Sequence, residues 1–361
     1  MARRREGRQG QAEGLGGGEA ERDIDSGSVK RAALAAGFHA VGIARAGPLG
    51  PGPLDRVLSR GAEAGMAWLR IQRAERLDPS RLLPGARSVV ALALAHAPDP
   101  PLDDPGPGRA AVARYARGRD YHGVMKRRLR DLVARLRAED PGIGAFASAD
   151  VAPVMEKAWA QRAGLGWVGK NGCLITLRHG SWVLLATVLL DRELEPDAPH
   201  PERCGDCSAC IPACPTGAIP EPGLVDARRC LSYWTIERRG DVPAAIAERV
   251  GRWAFGCDDC QTACPWNRVA APASDPELLP ARHPSLDLDG LLALAAADYG
   301  PRFHGTALAR AGRAGLVRNA VLVAGATRDA ARLEAVRRLA GSPLPGVDEA
   351  VRWALPRLGG G

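Results

Sequence analysis

The apolar positions of this chain follow two spacings, one typical of buried strands and the other of amphipathic helices. Residues 88–95 form a nearly unbroken apolar run, SVVALALA, which predicts a strand covered on both faces. Within residues 120–138, apolar side chains recur at helical spacing and predict an amphipathic helix; they are Leu129, Leu132, Val133 and Leu136. Strands and helices of these kinds alternate up to about residue 195, which indicates an α/β layer domain.

The remaining patterns predict shorter elements around these two. We expect helices over residues 29–36, 54–74 and 153–163, a strand over residues 39–44, and a hairpin of residues 174–177 and 182–190 around His179 and Gly180. Residues 98–108, rich in proline and glycine, predict a linker loop. After Pro284 the chain is rich in alanine and leucine and predicts helices, with one antiparallel pair over residues 318–358.

Length and composition limit the class of protein. With 361 residues, 46% of them hydrophobic, the chain can bury a large core and is expected to hold about two or three domains. No apolar stretch reaches the roughly 18 residues that span a bilayer, so we expect no membrane association. Residues 1–27 are rich in Gly, Arg and Glu and predict a disordered tail without a secretory signal. We therefore expect a cytoplasmic protein, and a monomer.

The net charge of +8 favours a polyanionic partner. Residues 1–27 hold five arginines and six acidic residues, so the positive balance lies in the rest of the chain. The helix predicted over residues 120–138 contributes to it through Lys126, Arg127, Arg128, Arg130 and Arg135. These cations form either a solvated helix face or a surface that follows a phosphate backbone. Because 45 of the 49 basic residues are arginine, a compositional bias of the genome explains the charge equally well.

Eight of the nine cysteines lie between Cys204 and Cys264, in two related runs. The first reads C-x2-C-x2-C-x3-C-P from Cys204, a spacing typical of [4Fe–4S] ligands whose fourth cysteine binds the other cluster of a pair. The second run, from Cys257 to Pro265, lacks the leading cysteine, and Cys230 can replace it. The spacing predicts one cluster held by Cys204, Cys207, Cys210 and Cys264, and another held by Cys214, Cys230, Cys257 and Cys260.

Structural zinc and disulfides are the competing explanations of these cysteines. Zinc sites usually contain two separated C-x2-C pairs, whereas here a third cysteine follows at the same interval. Disulfides suit short secreted chains, which this chain does not resemble. Cys173 stands alone among apolar residues and is expected to be a small buried hydrophobe. Two clusters imply electron transfer, so another site must hold the chemistry.

The stretch from Asp150 to Asn171 is the strongest candidate for that chemistry. Proline is favoured at the first position of a helix, so Pro153 leaves Asp150 outside the predicted helix, where its carboxyl group can face a cavity. If burial raises its pKa, Asp150 can act as a proton donor. The glycine-rich loop that ends at Asn171 permits close approach of a large flat cofactor, although glycines near a strand often only form a turn.

The chain resembles the epoxyqueuosine reductases, cobalamin-dependent iron–sulfur enzymes that complete queuosine at the wobble position of tRNA. The resemblance extends from about Val29 to Asn319 and rests on several short segments. These are AGFHAVGI from Ala36, GMAW from Gly65, LPGARSV from Leu83, RYARGRDYH from Arg114, the Asp150 segment, residues 163–171, CLSYWTIE from Cys230, FGCDDCQTACPWN from Phe255 and the pair Arg318-Asn319.

The resemblance implies a fold of three parts and a reaction. The parts are an α/β cobalamin-binding catalytic domain at residues 28–195, a ferredoxin-like module with two [4Fe–4S] clusters at 196–270, and a short C-terminal helical (HEAT-like) region at 271–361. Electrons from a low-potential donor such as ferredoxin or flavodoxin would pass through both clusters to cobalt. The epoxide of epoxyqueuosine would then be reduced, with oxygen leaving as water.

The same resemblance implies roles for individual residues. Asp150 would be the catalytic acid and a cofactor contact, and further cobalamin contacts would come from Tyr115, Gly169, Lys170, Asn171, Ser232 and Tyr233. The tRNA would be held by arginine and lysine, with the modified base turned out of its stack. Val151 departs from the family, in which a hydroxyl residue is common at this position, and the C-terminal helical region is short.

Two other classes of function compete with this one. A reductive dehalogenase also combines cobalamin with two [4Fe–4S] clusters, but the lack of an export signal and the basic charge disfavour it. A ferredoxin-type electron carrier with an inert extension would leave the Asp150 stretch without a purpose.

Overall fold

The computed structural model describes residues 24–97, 105–273, 275–279 and 281–359. These residues contain nine strands and fourteen α-helices. The strands are β1 (Ala40–Arg45), β2 (Ser88–Ala95), β3 (Arg109–Val112), β4 (Ala145–Ser148), β5 (Trp167–Val168), β6 (Leu174–Ile175), β7 (Val183–Leu190), β8 (Trp253–Phe255) and β9 (Ser285–Asp287). The helices are α1 (Ser26–Ala35), α2 (Gly52–Ser59), α3 (Trp68–Ile71), α4 (Arg73–Leu77), α5 (Tyr121–Glu139), α6 (Glu156–Arg162), α7 (Ala244–Ala247), α8 (Asp259–Thr262), α9 (Pro265–Arg268), α10 (Leu288–Leu292), α11 (Ala296–Phe303), α12 (Gly312–Ala326), α13 (Leu333–Arg337) and α14 (Val347–Leu358). A π-helical segment, Tyr233–Glu237, lies between β7 and α7.

Four antiparallel strands in the order β1-β2-β7-β4 form the central sheet of the first half of the chain. Successive residues of a strand point to opposite faces, and both faces of β2 are buried. Val90, Leu92 and Leu94 pack with α1 and α5. Val89 and Ala91 pack with α6 on the other face. The apolar run is therefore a central strand of a three-layer arrangement, as predicted.

The predicted elements α1, β1, β2 and α5 are confirmed, but two others are wrong. The helix predicted over residues 54–74 is broken into α2, α3 and the start of α4. Gly61 and Ala64, with positive φ angles of 61° and 53°, separate α2 from α3. The predicted hairpin does not form, because β6 pairs with β5, and β7 pairs with β2 and β4 on its two edges. A single bridge between Thr176 and Gly180 joins the two segments.

Two ends of predicted segments also differ. Helix α6 begins at Glu156 with Met155 as its N-cap, so Pro153 does not start it, although Asp150 lies outside the helix as expected. Ile24 is buried, and Asp25 caps α1 by accepting a hydrogen bond from the Ser28 backbone N–H at 2.6 Å. Residues 24–27 are thus ordered. The rest of the predicted tail, 1–23, and residues 98–104 of the predicted linker lie outside the described residues.

A second sheet, in the order β8-β3-β9, takes one strand from each of the three expected domains. Strand β3 pairs in parallel with β8 and antiparallel with β9, so the region after Pro284, expected to be helical, also holds a strand. One hydrophobic core surrounds this sheet and contains Val112, Phe255, Leu291, Leu316 and Val351. The boundaries at residues 195 and 270 stay predictions, but this core crosses both of them.

The C-terminal helices complete the shared core. Buried residues of α12 and α14, among them Val321 and Ala354, pack together, with the short α13 between the two helices in the chain. Both helices lie largely within the helix pair predicted over residues 318–358, although α12 starts at Gly312. Within the described residues, no helix is both long and apolar enough to cross a bilayer.

Two buried polar side chains of α12 bind backbone carbonyl groups around the π-helical segment. The guanidinium group of Arg318 donates hydrogen bonds of 2.6–3.0 Å to the carbonyl oxygens of Trp234, Arg238 and Gly240. Asn319 donates to the carbonyl oxygens of Thr235 and Ala254, at 2.8 Å each. Burial lowers the pKa of Arg318 to about 10, so its charge is retained at neutral pH. The C-terminal region thereby holds an irregular segment of the iron–sulfur region in place.

We expect Asn319→Ala to lower the free energy of unfolding by about 2–4 kcal/mol, because the buried carbonyls of Thr235 and Ala254 lose their donor. Equilibrium unfolding in urea measures the change. The control is Arg338→Ala, a substitution at an exposed position, which should alter the free energy by less than about 0.5 kcal/mol. Equal stability of the two variants would show that these hydrogen bonds contribute little.

Candidate active site

A cavity with two connected chambers lies where α2, the start of α6 and the π-helical segment meet. The apolar chamber has a volume of about 540 Å³ and is lined by Leu54, Val57 and Val154 among others. The polar chamber has a volume of about 810 Å³, and its lining includes Asp150 and Arg310. Seven residues line both chambers and so join them: Met66, Leu69, Arg76, Tyr115, Glu156, Ile236 and Glu237.

Three of the predicted cofactor contacts, Tyr115, Ser232 and Tyr233, line the apolar chamber. The hydroxyl oxygen of Tyr233 accepts a hydrogen bond from the backbone N–H of Gly65 at 3.1 Å. A Cβ atom at position 65 would lie 2.7 Å from that oxygen, so this contact requires glycine. The close approach holds the loop before α3 against the wall of the chamber.

Two buried polar atoms of the apolar chamber suit a ligand that carries hydrogen-bonding groups. Among the described residues, Oε2 of Glu63 and Nε of Arg76 have no hydrogen-bond partner, and both side chains line this chamber. Buried polar groups of native proteins are normally satisfied. A large apolar ligand with amide groups at its edge, such as a corrin, fits this combination of surface and unsatisfied atoms.

Asp150 lies in the polar chamber, between β4 and α6. Its φ angle of +59° is in the left-handed region, which aspartate tolerates better than most residues do. Its backbone N–H donates to Oε1 of Glu156 at 3.2 Å, and its carboxylate accepts a hydrogen bond from the Tyr121 hydroxyl. Because the chamber is open, the side chain is 65% exposed even though protein surrounds it. The carboxylate is therefore accessible to a substrate.

The groups around Asp150 decide its protonation. Burial by itself would raise the pKa of Asp150, but the nearby imidazolium of His122, the hydrogen bond from Tyr121 and the charge of Arg310 outweigh it, so the pKa is lowered. The condition named from the sequence, a pKa of Asp150 raised by burial, is therefore not met. Asp150 is ionised at neutral pH in the free protein.

His122 holds a proton beside Asp150. Its Nδ1 lies 2.8 Å from Oδ1 of Asp120, and its Nε2 lies 3.7 Å from Oδ2 of Asp150. The hydrogen bond with Asp120 and the ion pair with Asp150 raise the pKa of His122 to about 9, so the imidazolium form predominates at neutral pH. The ring also stacks on Tyr121, with 4.1 Å between the ring centroids.

Glu156 is a second carboxyl group at this site and lines both chambers. Burial raises the pKa of Glu156 to about 7, and the nearby charge of Asp150 acts in the same direction. The polar chamber thus combines an ionised carboxylate, an imidazolium ion and a carboxyl group that is partly protonated at neutral pH. Such a set of groups can bind a polar substrate and supply protons to it.

The first predicted set of cluster ligands comes together at one pocket. Cys204, Cys207, Cys210 and Cys264 all line a pocket of about 150 Å³. The indole N–H of Trp167 donates a hydrogen bond to Sγ of Cys204 at 3.4 Å. Burial raises the pKa values of Cys204, Cys210 and Cys264, and binding to a metal deprotonates such thiols.

The second predicted set borders the apolar chamber. Burial raises the pKa values of Cys230 and Cys260, and the charge of Cys214 adds to both effects because the three thiols are neighbours. Burial also raises the pKa of Cys257, and the charge of the neighbouring Cys260 adds to this effect. Cys230 also lines the apolar chamber, so this set lies at its wall. The division of the eight cysteines into two sets of ligands stays a prediction that these contacts support.

The pocket of the first set presents the number of ligands that one [4Fe–4S] cluster requires. Four cysteines line it, and in such a cluster each thiolate binds a different iron of the cube. Within the described ranges, no group of three Cys, His, Asp or Glu side chains forms a site for a single metal ion.

The Gly169-Lys170-Asn171 loop lies beside the cysteines and not in the cavity walls. Lys170 and Asn171 line the pocket of the first cysteine set, and Nζ of Lys170 donates to the Gly205 carbonyl at 2.6 Å. Val168 and Gly172, which flank the loop, line the apolar chamber instead. Cofactor contacts from Gly169, Lys170 and Asn171 stay predictions.

Sequence reasoning assigned no role to several residues of the cavity: Glu63, Arg76, Tyr121, His122, Glu156, Glu237 and Arg310. His122 closes the segment RYARGRDYH, and Glu156 follows Asp150 by only six residues. A search for titratable residues near the candidate acid would have found both. Glu237 and Arg310 form an ion pair at 2.9 Å between distant parts of the chain, which no local pattern predicts.

Two protein-family models match the chain. One, described as "Epoxyqueuosine reductase QueG, DUF1730", matches residues 76–150. The other, described as "4Fe-4S double cluster binding domain", matches residues 203–267, which contain all eight clustered cysteines. The prediction of an iron–sulfur domain with two [4Fe–4S] clusters is confirmed.

Known proteins resemble this chain over most of its length. An epoxyqueuosine reductase of Gloeobacter violaceus is 45% identical over 310 residues, which are 83% of this chain and 96% of that protein. A crystal structure of epoxyqueuosine reductase with a tRNA-Tyr epoxyqueuosine-modified stem loop is 30% identical, with a TM-score of 0.85. The structure of the Bacillus subtilis enzyme with its catalytic loop swung out of the active site is 29% identical, also with a TM-score of 0.85. Each of these two matches covers 92% of this chain and 90% of the chain in the known structure. The chain therefore belongs to the epoxyqueuosine reductase family.

Proposed function

We propose that this protein reduces epoxyqueuosine to queuosine at the wobble position of tRNA, with cobalamin and two [4Fe–4S] clusters as its cofactors. The observation that carries the proposal is the two-part cavity, with Cys230 in the wall of its apolar chamber and Asp150 in its polar chamber. Family membership supports the reaction. The cytoplasmic location and the monomeric state stay predictions.

The apolar chamber supports a cobalamin site. Tyr115, Ser232 and Tyr233 would contact the corrin, and Glu63 and Arg76 would bind amide groups at its edge. Bound there, cobalamin would supply the low-potential electron chemistry that the side chains lack. A corrin that filled the chamber would displace water from its apolar walls, and the residues that line both chambers would lie between the corrin and the substrate.

The exposure of the cysteines favours one direction of electron flow. Cys207 of the first set is exposed, whereas all four members of the second set are at least partly covered. Cys230 of the second set also lines the apolar chamber. We therefore infer that a low-potential donor such as ferredoxin or flavodoxin reduces the first cluster, and that single electrons pass from there to the second.

Loss of the epoxide oxygen consumes two electrons and two protons. Both C–O bonds break, a C=C bond forms between the two carbons, and the oxygen leaves as water. Asp150 faces the polar chamber and would pass a proton to the departing oxygen. His122, protonated and 3.7 Å from the Asp150 carboxylate, would provide that proton. Glu156, which lines the same chamber and has a pKa of about 7, would supply the second proton.

The competing functions are less well supported by this cavity. A hydrophobic organohalide would gain little from a chamber that holds an ionised carboxylate, an imidazolium ion and the Glu237–Arg310 ion pair. A plain electron carrier would need neither chamber. A hydroxylated base within a polyanionic loop suits both the polar groups and the basic charge of the chain.

The substitution Asp150→Asn tests the proton donor. Asparagine keeps the size of the side chain and tolerates the positive φ angle, but it cannot release a proton as a carboxyl group does. Turnover of epoxyqueuosine in tRNA should fall by about a hundredfold to ten-thousandfold, measured by nucleoside analysis after anaerobic reaction. Asp131→Asn, on the exposed face of α5, is the control. Near-normal turnover by Asp150→Asn, with iron content and stem-loop binding intact, would refute the assignment.

The pH profile tests the role of His122. Its imidazolium form is present below its pKa of about 9 and is lost above it, so turnover should fall as the pH rises through this value. Asp120→Asn removes the carboxylate that raises this pKa most, while asparagine still caps α5. The fall should then begin nearer the ordinary value of 6.5, with about threefold or more loss of turnover at about pH 8.5. An unchanged profile would contradict proton supply by His122.

The substitution Cys230→Ala tests the division of the cysteines. Loss of one ligand of the second set should reduce the iron content from about eight to about four atoms per chain, while the first cluster stays intact. Iron analysis and electron paramagnetic resonance of anaerobically purified protein measure both. Cys173→Ala removes the remaining cysteine, which belongs to neither set, and should keep all of the iron. Full iron content in Cys230→Ala would overturn the assignment of this ligand.

A further inference from the structure

A third cavity, about 750 Å³ in volume, lies between α5 and β4, one of the two edge strands of the central sheet. We call it the α5–β4 groove. Its floor is apolar and includes Leu129, Val133 and Ala147. Its rim carries the cations Lys126, Arg130 and Arg137. Among the described residues, no acidic side chain lines it. The groove is thus an apolar trough with positive charge along one wall.

The cations of α5 fall into two groups. Three of them, Arg127, Arg128 and Arg135, form ion pairs with the carboxylates of Glu277, Asp275 and Asp131 respectively. The three rim cations have no ion pair or side-chain hydrogen bond within the described part of the chain. Their spacing, four and then seven residues, keeps them on one face of the helix. The paired arginines bind carboxylates of the protein itself, whereas the rim cations are available to a ligand.

The groove opens into the polar chamber. His122 and Val151 line both cavities, so the groove continues directly from the position of Asp150. Val151 is 76% exposed at this junction. A substrate whose reactive group lies at Asp150 can therefore extend past Val151 into the groove.

We propose that the α5–β4 groove binds the single-stranded nucleotides next to the modified base in the anticodon loop of the tRNA. This inference rests on the proposed function and names a surface that this substrate would use. The rim cations span about 16 Å along α5 and complement a row of phosphates. The apolar floor complements the faces of unpaired bases, which a loop exposes and a duplex hides.

Matched double variants of α5 test the rim. Arg130→Gln with Arg137→Gln removes two rim cations, and Arg127→Gln with Arg135→Gln removes two paired cations of the same helix, with the same change in net charge. Affinity for a fluorescent anticodon stem-loop RNA is measured by anisotropy over a range of salt concentrations. The rim variant should bind about tenfold more weakly, with a salt slope lower by about 1.4, since each phosphate contact of a single strand contributes about 0.7. The control should bind like the wild type.

A second pair of variants tests the floor without changing any charge. Ala134 lines the groove, whereas Ala138, one helical turn later and also exposed, does not. Ala134→Trp should fill the groove and weaken stem-loop binding as the rim variant does. Ala138→Trp should leave binding unchanged.

Wild-type binding separates this inference from the proposed function. If the wild type does not bind the stem loop, both are wrong. If it binds, and the rim and floor variants bind as well as their controls, the groove is not the nucleotide site and the proposed function stands. If the rim variant binds RNA normally but turns over poorly with an acidic ferredoxin, and dithionite restores turnover, the cations bind the electron donor and the inference is overturned.

Discussion

The backbone carbonyl groups of residues 234–240 do not all find partners within regular helix, and the buried side chains of Arg318 and Asn319 bind them instead. The cavity depends on this constraint, because Ile236 and Glu237 of the same segment line both chambers. Without these donors the segment would have to rearrange to satisfy its own backbone, and the wall would move. The C-terminal helices thus fix the shape of a site to which α12 and α14 contribute no lining residue among those described.

The polar chamber gives different protonation states to neighbouring acidic groups. Asp150 is held at a positive φ angle by the hydrogen bond from its N–H to Glu156, and its carboxylate is stabilised by Tyr121 and His122. Glu156 is buried beside that charge and keeps its proton more readily, because two adjacent carboxylates resist ionising together. One carboxyl group can therefore interact as an anion while the other holds a proton at the same pH.

The periodic parts of the fold could be predicted from the sequence, and the parts that depend on distant contacts could not. A helix or strand that is buried on one or both faces has apolar residues at regular positions in the sequence. The positions of β2 and α5 could be predicted for this reason. The break at Ala64 left no such sign, because alanine has no preference for a positive φ angle. Cysteine spacing is local and predicted the two cluster sets. The direction of the pKa shift of Asp150 could not be predicted, because Tyr121 and His122, which lower it, are brought beside Asp150 only by folding.

The β8-β3-β9 sheet joins strands that are far apart in the chain and would be cut by any exchange of whole regions between genes. Moving the iron–sulfur region alone would expose one edge of β3 and open the core that Phe255 shares with the C-terminal helices. The iron–sulfur region therefore could not be moved to another protein without breaking a sheet and a core that it shares with the rest of the chain. We expect it to be inherited with its catalytic partner as one unit, and substitutions on the two sides of this sheet to arise in compensating pairs.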